Sequence, residues 1–393
     1  MGFGGPPLAA DIQAKCGGLI DIDEANDHIF VHRLTLDYLI RNRSLWLPEE
    51  DVHGCISRKC IEYLCRDDLD HDDGGICLSD ASLEARLTSN PLYRYSARNW
   101  GEQARLASSA DADLAIRFLN DEKKLAASSQ VLMASKRMNT EAGYSQRVPK
   151  SAYFGLQTVL KSLLAGGNRA NVKDSHSWPP LSYAAENGHE AIVHLLLEEG
   201  DDIDCVDINS RTALSWAAEY GHQKVVCVLI TAGAELNTQD DMGRTPLIHA
   251  TANGHEDVVQ LLLAANRIHP DIKDIYGRTA LSQAASQGYN SIVKLILNYS
   301  PEVDPDSKDI QGYTPLSHAA ANGHKSVVQM LLDAQGVDPD SRDINGFTPL
   351  SHAAVNGHAD VVQLLISTVQ VDNDSKDCHG NGISPLALKM DMH

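Results

Sequence analysis

Apolar positions in the second half of the chain recur in a fixed order. The run Ile192-Val193-His194-Leu195-Leu196-Leu197 is echoed at Val225 to Ile230, Val258 to Leu263, Ile292 to Leu297, Val327 to Leu332 and Val361 to Ile366. Ahead of each run stands a shorter block: Pro179-Pro180-Leu181, Thr212-Ala213-Leu214, Thr245-Pro246-Leu247, Thr279-Ala280-Leu281, Thr314-Pro315-Leu316 and Thr348-Pro349-Leu350, with a seventh at Ser384-Pro385-Leu386. The leucines of these blocks are spaced 33, 33, 34, 35, 34 and 36 residues apart. A second marker keeps step at Gly188-His189, Gly221-His222, Gly254-His255, Gly288-Tyr289, Gly323-His324 and Gly357-His358. Self-similarity at this period predicts a stack of supersecondary units, none of which buries its apolar face alone.

Each part of the block has a mechanical reading. Thr at the N-cap accepts a bond from a free helix N–H, and Pro at the first helical position loses nothing by lacking its own. Thr-Pro therefore starts a first helix. The Leu and Ala-Ala positions are small enough for neighbouring helices to approach, and Gly ends the helix in a left-handed conformation. The apolar run then forms a second helix. A polar stretch with Asp-x-x-Gly follows, as in Asp274-Ile275-Tyr276-Gly277 and Asp343-Ile344-Asn345-Gly346, and reads as a tight hairpin leading into the next unit.

A helix-turn-helix-hairpin unit with these motifs resembles the ankyrin repeat over residues 174–393, with six full units and a truncated seventh. Ser151-Ala152-Tyr153-Phe154-Gly155, followed by Leu156 to Leu164, has the same order without the Thr-Pro-Leu start and predicts a degenerate repeat over 146–173. The chain stops at His393, inside the first helix of the seventh unit. The expectation is that a partner covers that end or that the chain is a shortened member of a longer family, because solenoid ends carry polar caps. The resemblance implies partner binding by the hairpin tips and the concave face of the first helices. It places Arg211, Arg244, Arg278, Tyr313 and Phe347 at the tips and Tyr183, Trp216, His249, Gln283, His318 and His352 on the concave face. Glu186, Glu219, Tyr220, Asn253, Asn322 and Asn356 stand beside them. Tyr, Trp, Phe and Arg exposed together dominate interface energies. The other reading of Trp216 and Tyr183 is that they pack on the next repeat.

The first part of the chain follows a different pattern. Ile12 to Leu19 and Leu34 to Arg41 read as helices, and Ile20 to Ile22 pairs with His28 to Val31 as a hairpin across Glu24-Ala25-Asn26-Asp27. Further helices are predicted at Asp51 to Leu64, Tyr93 to Ala107 and Ala112 to Ala134. The segments Cys16 to Asp23, Val31 to Leu39 and Asn90 to Gly101 resemble the region between ATPase and ankyrin array in fungal NACHT-ankyrin proteins, which are NLR-like receptors. That resemblance implies a winged-helix-like and helical domain over 1–107 and a helical connector over 108–145. No G-x-x-x-x-G-K-[S/T] phosphate loop occurs, so it implies architecture and not ATP hydrolysis. The fold class expected for the whole is mainly all-α: an ankyrin-repeat α-solenoid with short hairpin loops after a small helical, winged-helix-like domain.

Charge sharpens this picture. Of the net −20, residues 174–393 carry −18, with 12 Lys and Arg against 30 Asp and Glu. Such an array repels phosphate backbones, which argues against direct nucleic-acid binding and for a basic protein partner. The longest apolar stretch, Val225 to Ala234, is interrupted by Thr231 and Gly233 and falls short of the ~20 residues of a membrane span. Met1 to Pro7 has neither a basic nor an apolar leader region, and Pro6 stands where myristoylation wants Ser or Thr. The eight cysteines include no C-x-x-C and read as reduced thiols of a protein of the cytoplasm or nucleus.

Candidate chemistry is sparse. His249, His318 and His352 occupy equivalent helical positions, and such positions lie ~8–10 Å apart even in neighbouring stacked helices, too far to share a metal that each must approach at ~2 Å. Asp67 to Gly74 resembles a calcium loop, but Asp73 stands where its glycine belongs and Ser79 where its bidentate Glu belongs. Cys55, Cys60 and Cys65 are spaced by five, off one helix face. No hydrolase or metalloprotease signature appears. The expectation is a non-catalytic adaptor without cofactor or small-molecule substrate. Its most specific form is a transcriptional coregulator that binds a basic factor. The alternatives are an NLR-like component acting with a separate NACHT ATPase, and an enzyme with a site in residues 1–140.

Overall fold

The computed structural model describes residues 20–23, 28–31, 52–65, 80–106, 112–134, 147–174, 177–299 and 303–367. The helices expected at Ile12 to Leu19 and Leu34 to Arg41, the acidic loop Asp67 to Gly74 and the seventh repeat lie outside these residues. By internal contacts the chain divides into Met1–Pro180 and Leu181–His393. Apart from one short hairpin, the described residues form an all-α repeat architecture.

In the first unit, strands β1 (Ile20–Asp23) and β2 (His28–Val31) pair antiparallel, with Ile20 opposite Val31 and Asp23 opposite His28. Among the described residues seven helices follow: α1 (Val52–Leu64), α2 (Asp80–Ser89), α3 (Pro91–Leu106), α4 (Ala112–Asn120), α5 (Glu122–Ala134), α6 (Arg147–Tyr153) and α7 (Gln157–Ala165). Two of these differ from the sequence reading. Helix α2 has only Leu83 and Leu87 on its buried apolar stripe, too little periodicity to stand out. The single helix expected over Ala112 to Ala134 is broken at Asp121, whose Oδ1 accepts the N–H of Lys124 at 3.1 Å and caps α5.

Among the described residues of this unit, helices α1 to α5 and the segment from Phe154 to Leu163 share one core. Trp100 of α3 meets Phe118 of α4 edge-on at 5.0 Å between ring centroids and Phe154 at 4.9 Å. Ile61, Leu64, Leu83, Leu87, Leu119 and Leu125 close around them. Phe154, Leu156, Val159 and Leu163 belong to the segment with the order of a degenerate repeat, and they are buried in this core. Gly101 is required by the same contact, because a Cβ there would lie 2.1 Å from the Phe154 ring.

The second unit is a stack of helix pairs: α8 (Pro180–Glu186) with α9 (Glu190–Glu198), α10 (Ala213–Glu219) with α11 (Gln223–Thr231), and α12 (Pro246–Ala252) with α13 (Glu256–Ala264). It continues with α14 (Ala280–Gln287) and α15 (Asn290–Tyr299), α16 (Pro315–Ala321) and α17 (Lys325–Leu332), and α18 (Pro349–Val355) and α19 (Ala359–Ser367). First helices pack on first helices and second on second. The threonines act as expected: the hydroxyls of Thr212, Thr245, Thr279, Thr314 and Thr348 each accept an N–H from three residues on, at 3.2–3.3 Å. The Ala-Ala pairs up to Ala319-Ala320, Ala353, and the valines Val193, Val225, Val226, Val258, Val259, Val293, Val327, Val328, Val361 and Val362 of the apolar runs are buried. No helix among the described residues is long and apolar enough to cross a membrane.

Candidate protein-binding surface

The hairpins are built on one aspartate per repeat. Asp240 Oδ1 accepts the N–H groups of Met242 and Arg244 at 2.9 and 2.8 Å, and Asp274 Oδ1 those of Tyr276 and Arg278, both at 2.9 Å. Asp207, Asp309 and Asp343 repeat the arrangement. The carboxylate thus closes the turn from inside, as Asp does in an Asx turn. Its second oxygen reaches the first helix nine residues on. Trp216 Nε1 donates to Asp207 at 2.9 Å, and Nε2 of His249, His318 and His352 donates to Asp240, Asp309 and Asp343 at 3.0, 3.0 and 3.1 Å. Because those acceptors can only accept, the three imidazoles carry their proton on Nε2. In the fourth repeat Gln283 stands in the histidine's place, and Arg278 donates to Asp274 through Nε and Nη2 at 2.9 and 2.7 Å instead.

This bonding decides which residues can meet a partner. Tyr183, Arg211, Trp216, His249 and His352, expected on an open face, are buried. Their polar groups are drawn inward: Trp216 and the two histidines are bonded to the hairpin aspartates, and the Arg211 guanidinium lies 3.4 Å from the Trp216 ring centroid and pairs with Glu219. Glu186 is buried as well. Arg244, Arg278, Gln283, Tyr313, His318 and Phe347 are half-buried, while Tyr220, Asn253, Asn322 and Asn356 are exposed. Tyr220 is 49% exposed and stacks between Trp216 and His222 at 6.2 and 6.3 Å. Toward the last repeats Tyr313 lies between His318 and His352 at 5.2 and 4.5 Å, and Phe347 approaches His352 at 5.6 Å. The accessible face is therefore a row of tip-side rings and guanidinium groups supported from below by the aspartate–helix bonds.

Electrostatics follow the burial. Burial lowers the affinity of His249, His318 and His352 for a second proton despite the aspartate each one faces, so they are neutral in the fold. Burial works against ionisation of Asp240, but the bond from His249, the Arg244 N–H and the charge of Arg244 outweigh it and hold its carboxyl well below the usual range. Desolvation brings Arg211 down to about 10, against the pull of Asp207 and Asp240.

The Gly-His histidines do a different task. Nε2 of His222, His255, His324 and His358 donates to the carbonyl oxygens of Glu186, Glu219, Ser286 and Ala321, one repeat back, at 2.8–3.0 Å. Each thereby closes a main-chain acceptor left open at a helix end. Gly221 has φ +74°, and a Cβ on it would stand 2.6 Å from the His255 ring, so the glycine is needed both for its turn and for the next repeat's histidine. Elsewhere His53 Nδ1 lies 2.8 Å from Gln103 Oε1, and burial pushes the Cys60 thiol up to about 11. Among the described residues no three His, Cys, Asp or Glu side chains converge in the manner of a metal site.

Comparison with curated proteins gives no match. Residues 150–240, 229–309 and 282–377, which together span more than half the chain and include the segment whose apolar side chains enter the first unit's core, match the family described as Ankyrin repeats (3 copies). The repeat period, the Thr-capped first helices, the aspartate-closed hairpins and this match agree, and the chain belongs to the ankyrin-repeat family.

Proposed function

We propose that this protein is a non-catalytic adaptor that binds a protein partner along the tip-side face of its array. The observation that carries the reading is the set Arg244, Arg278, Tyr313 and Phe347, residue types that dominate interfaces, whose backbone is held by buried hairpin aspartates, together with the exposed Tyr220 stacked between Trp216 and His222, so that little ordering entropy remains to be lost on binding. The −18 charge of residues 174–393 supports a basic partner, and in its most specific form the reading is a transcriptional coregulator that clamps a basic factor.

The test is affinity capture of the intact chain from its own cells beside a variant carrying Tyr220→Ala, Arg244→Ala and Phe347→Ala. The expected result is a basic nuclear factor recovered by the native chain and lost in the variant. Recovery of the same proteins by both would remove this face from the interaction. The segments Cys16 to Asp23, Val31 to Leu39 and Asn90 to Gly101 favour a second reading, an NLR-like component acting with a separate NACHT ATPase. Capture of such an ATPase, dependent on residues 1–145, would move the assignment there.

A further inference from the structure

The outermost residues of the last three described tips differ in character from the acidic array that carries them. Ile275, Ile310 and Ile344 each follow the hairpin aspartate directly and are 51%, 61% and 71% exposed. Ile208 holds the same position earlier, but Asp241 interrupts the series between it and Ile275. Two residues before each of the three isoleucines stands an exposed cation: Lys273, Lys308 and Arg342. Lys273 Nζ donates to the carbonyl of Lys308 at 2.8 Å and Lys308 Nζ to that of Arg342 at 3.0 Å, so the cations are laid in line from tip to tip.

The negative charges nearby are turned away or spent. The side chains of Asp274, Asp309 and Asp343 are 1%, 8% and 1% exposed. Asp271 is half-buried and accepts the N–H of Asp304 in the next repeat at 3.1 Å, and Asp306 is half-buried against the backbone of Asp338. The exposed Asp304 and Asp338 lie four residues further down their loops from Lys308 and Arg342. The tip edge thus shows solvent an aliphatic row bordered by cations, with the exposed neutral side chains of Tyr276, Gln311 and Asn345 beside it.

The backbone restricts what can lie on that row. The N–H groups of Ile275, Ile310 and Ile344 donate to the carbonyls of Met242, Tyr276 and Gln311 in the preceding tips, each at 3.0 Å. The tips are thereby held in register, and those donors are not offered to an added strand. Recognition falls to side chains. Successive repeats stack at the ~8–10 Å of packed helices. A polyproline II segment advances ~9.3 Å per three-residue turn, needs no backbone hydrogen bonds and places every third side chain on one face.

We infer that the edge formed by Ile275, Ile310 and Ile344 with Lys273, Lys308 and Arg342 binds an extended partner segment that carries an aliphatic side chain at every third position and carboxylates between. The inference rests on the array being a protein-binding surface and names the segment class that its tip edge selects. An overall basic partner meets the acidic body of the array, while its docking segment must be locally acidic.

The intact chain is titrated by fluorescence anisotropy with a labelled peptide of four Leu-Glu-Pro repeats, beside Leu-Lys-Pro and Ser-Glu-Pro counterparts. The acidic leucine peptide binds and both counterparts fail. Ile310→Ser with Ile344→Ser weakens binding about tenfold, the loss expected when two aliphatic side chains no longer leave water. Lys273→Gln with Lys308→Gln weakens it several-fold and flattens its salt dependence. These residues are exposed, and unchanged thermal unfolding of each variant checks that the array is intact. No binding tighter than about 1 mM, equal binding of the Leu-Lys-Pro peptide, or unchanged affinity in the isoleucine variant overturns the inference. A cellular partner that survives Ile310→Ser with Ile344→Ser but is lost with Tyr220→Ala, Arg244→Ala and Phe347→Ala also overturns it, and leaves the adaptor reading in place.

Discussion

The two units of the chain are held together in opposite ways. The first closes one core around Trp100, Phe118 and Phe154, contributed by three segments far apart in sequence. The second has no such centre among its described residues: Thr caps in five repeats, hairpin aspartates and inter-repeat histidines at four junctions recur along it, and each of these contacts involves only the same or the adjoining unit. A single core concentrates stability in a few large side chains, whereas a solenoid spreads it over nearest-neighbour terms. Loss of one large residue should therefore undo the first unit as a whole, while loss of one bonded group in the array should act locally.

Trp100→Ala breaks the comparison hardest. Removing a fully buried indole costs about 3–5 kcal/mol, and denaturant unfolding followed by hydrogen exchange should show residues 52–165 opening while the helices from Ala213 onward keep their protection. Asp274→Ala comes next. It leaves the N–H groups of Tyr276 and Arg278 without their acceptor and removes the carboxylate beneath Arg278, a loss of about 2–4 kcal/mol. Exchange protection should fall in the fourth repeat and its neighbours and nowhere else.

Gly221→Ala tests the double requirement at the repeat junction. Strain at positive φ and the clash with His255 together cost about 2 kcal/mol or more. His255→Ala in the same chain should recover part of that, the part due to the clash, in a double-mutant cycle; a cycle with no coupling would show that the ring simply moves aside.

The smallest effect is a pH dependence, with two opposing signs. His249, His318 and His352 bind the second proton less readily in the fold than in the unfolded chain, chiefly through burial. Their contribution is present above the unfolded value of about 6.5 and is lost as pH falls below it. Asp306 goes the other way: burial raises it to about 6, so its cost, present above that pH, is relieved as pH falls through 6. The array should melt at lower temperature at pH 5.5 than at 7.5, and Asp306→Asn, which removes the opposing contribution, should steepen that difference.

The same contrast explains what could be read in advance. Thr279 before Ala280, the Ala284-Ala285 pair and Gly288 announce their roles because each acts through its own few residues of backbone. The pairing of Asp240 with His249 also repeats, nine residues apart, and the signal was present in Asp207 with Trp216 and Asp343 with His352. The sequence alone does not display it as a bond, because nine is neither a helical nor a strand period and the bond exists only once hairpin and helix are folded against each other. Burial of Trp216, His249 and His352 was hidden for the same reason. A position known to lie on the first helix does not say whether its ring turns outward or under the hairpin. In the first unit, helix Asp80–Ser89 and the break at Asp121 had no periodic signal to announce them.

By itself the sequence determined the repeat, its period, the helix starts and ends and the acidity of the array, since these depend on local backbone preferences and on counting charge. The tertiary structure decided what the surface offers. Burial drew Arg211, Trp216, His249 and His352 into the framework, and main-chain bonds between tips set Ile275, Ile310 and Ile344 in register. Exposure is a property of neighbours in space, and in this array those neighbours lie across the hairpin of the same repeat or one repeat away.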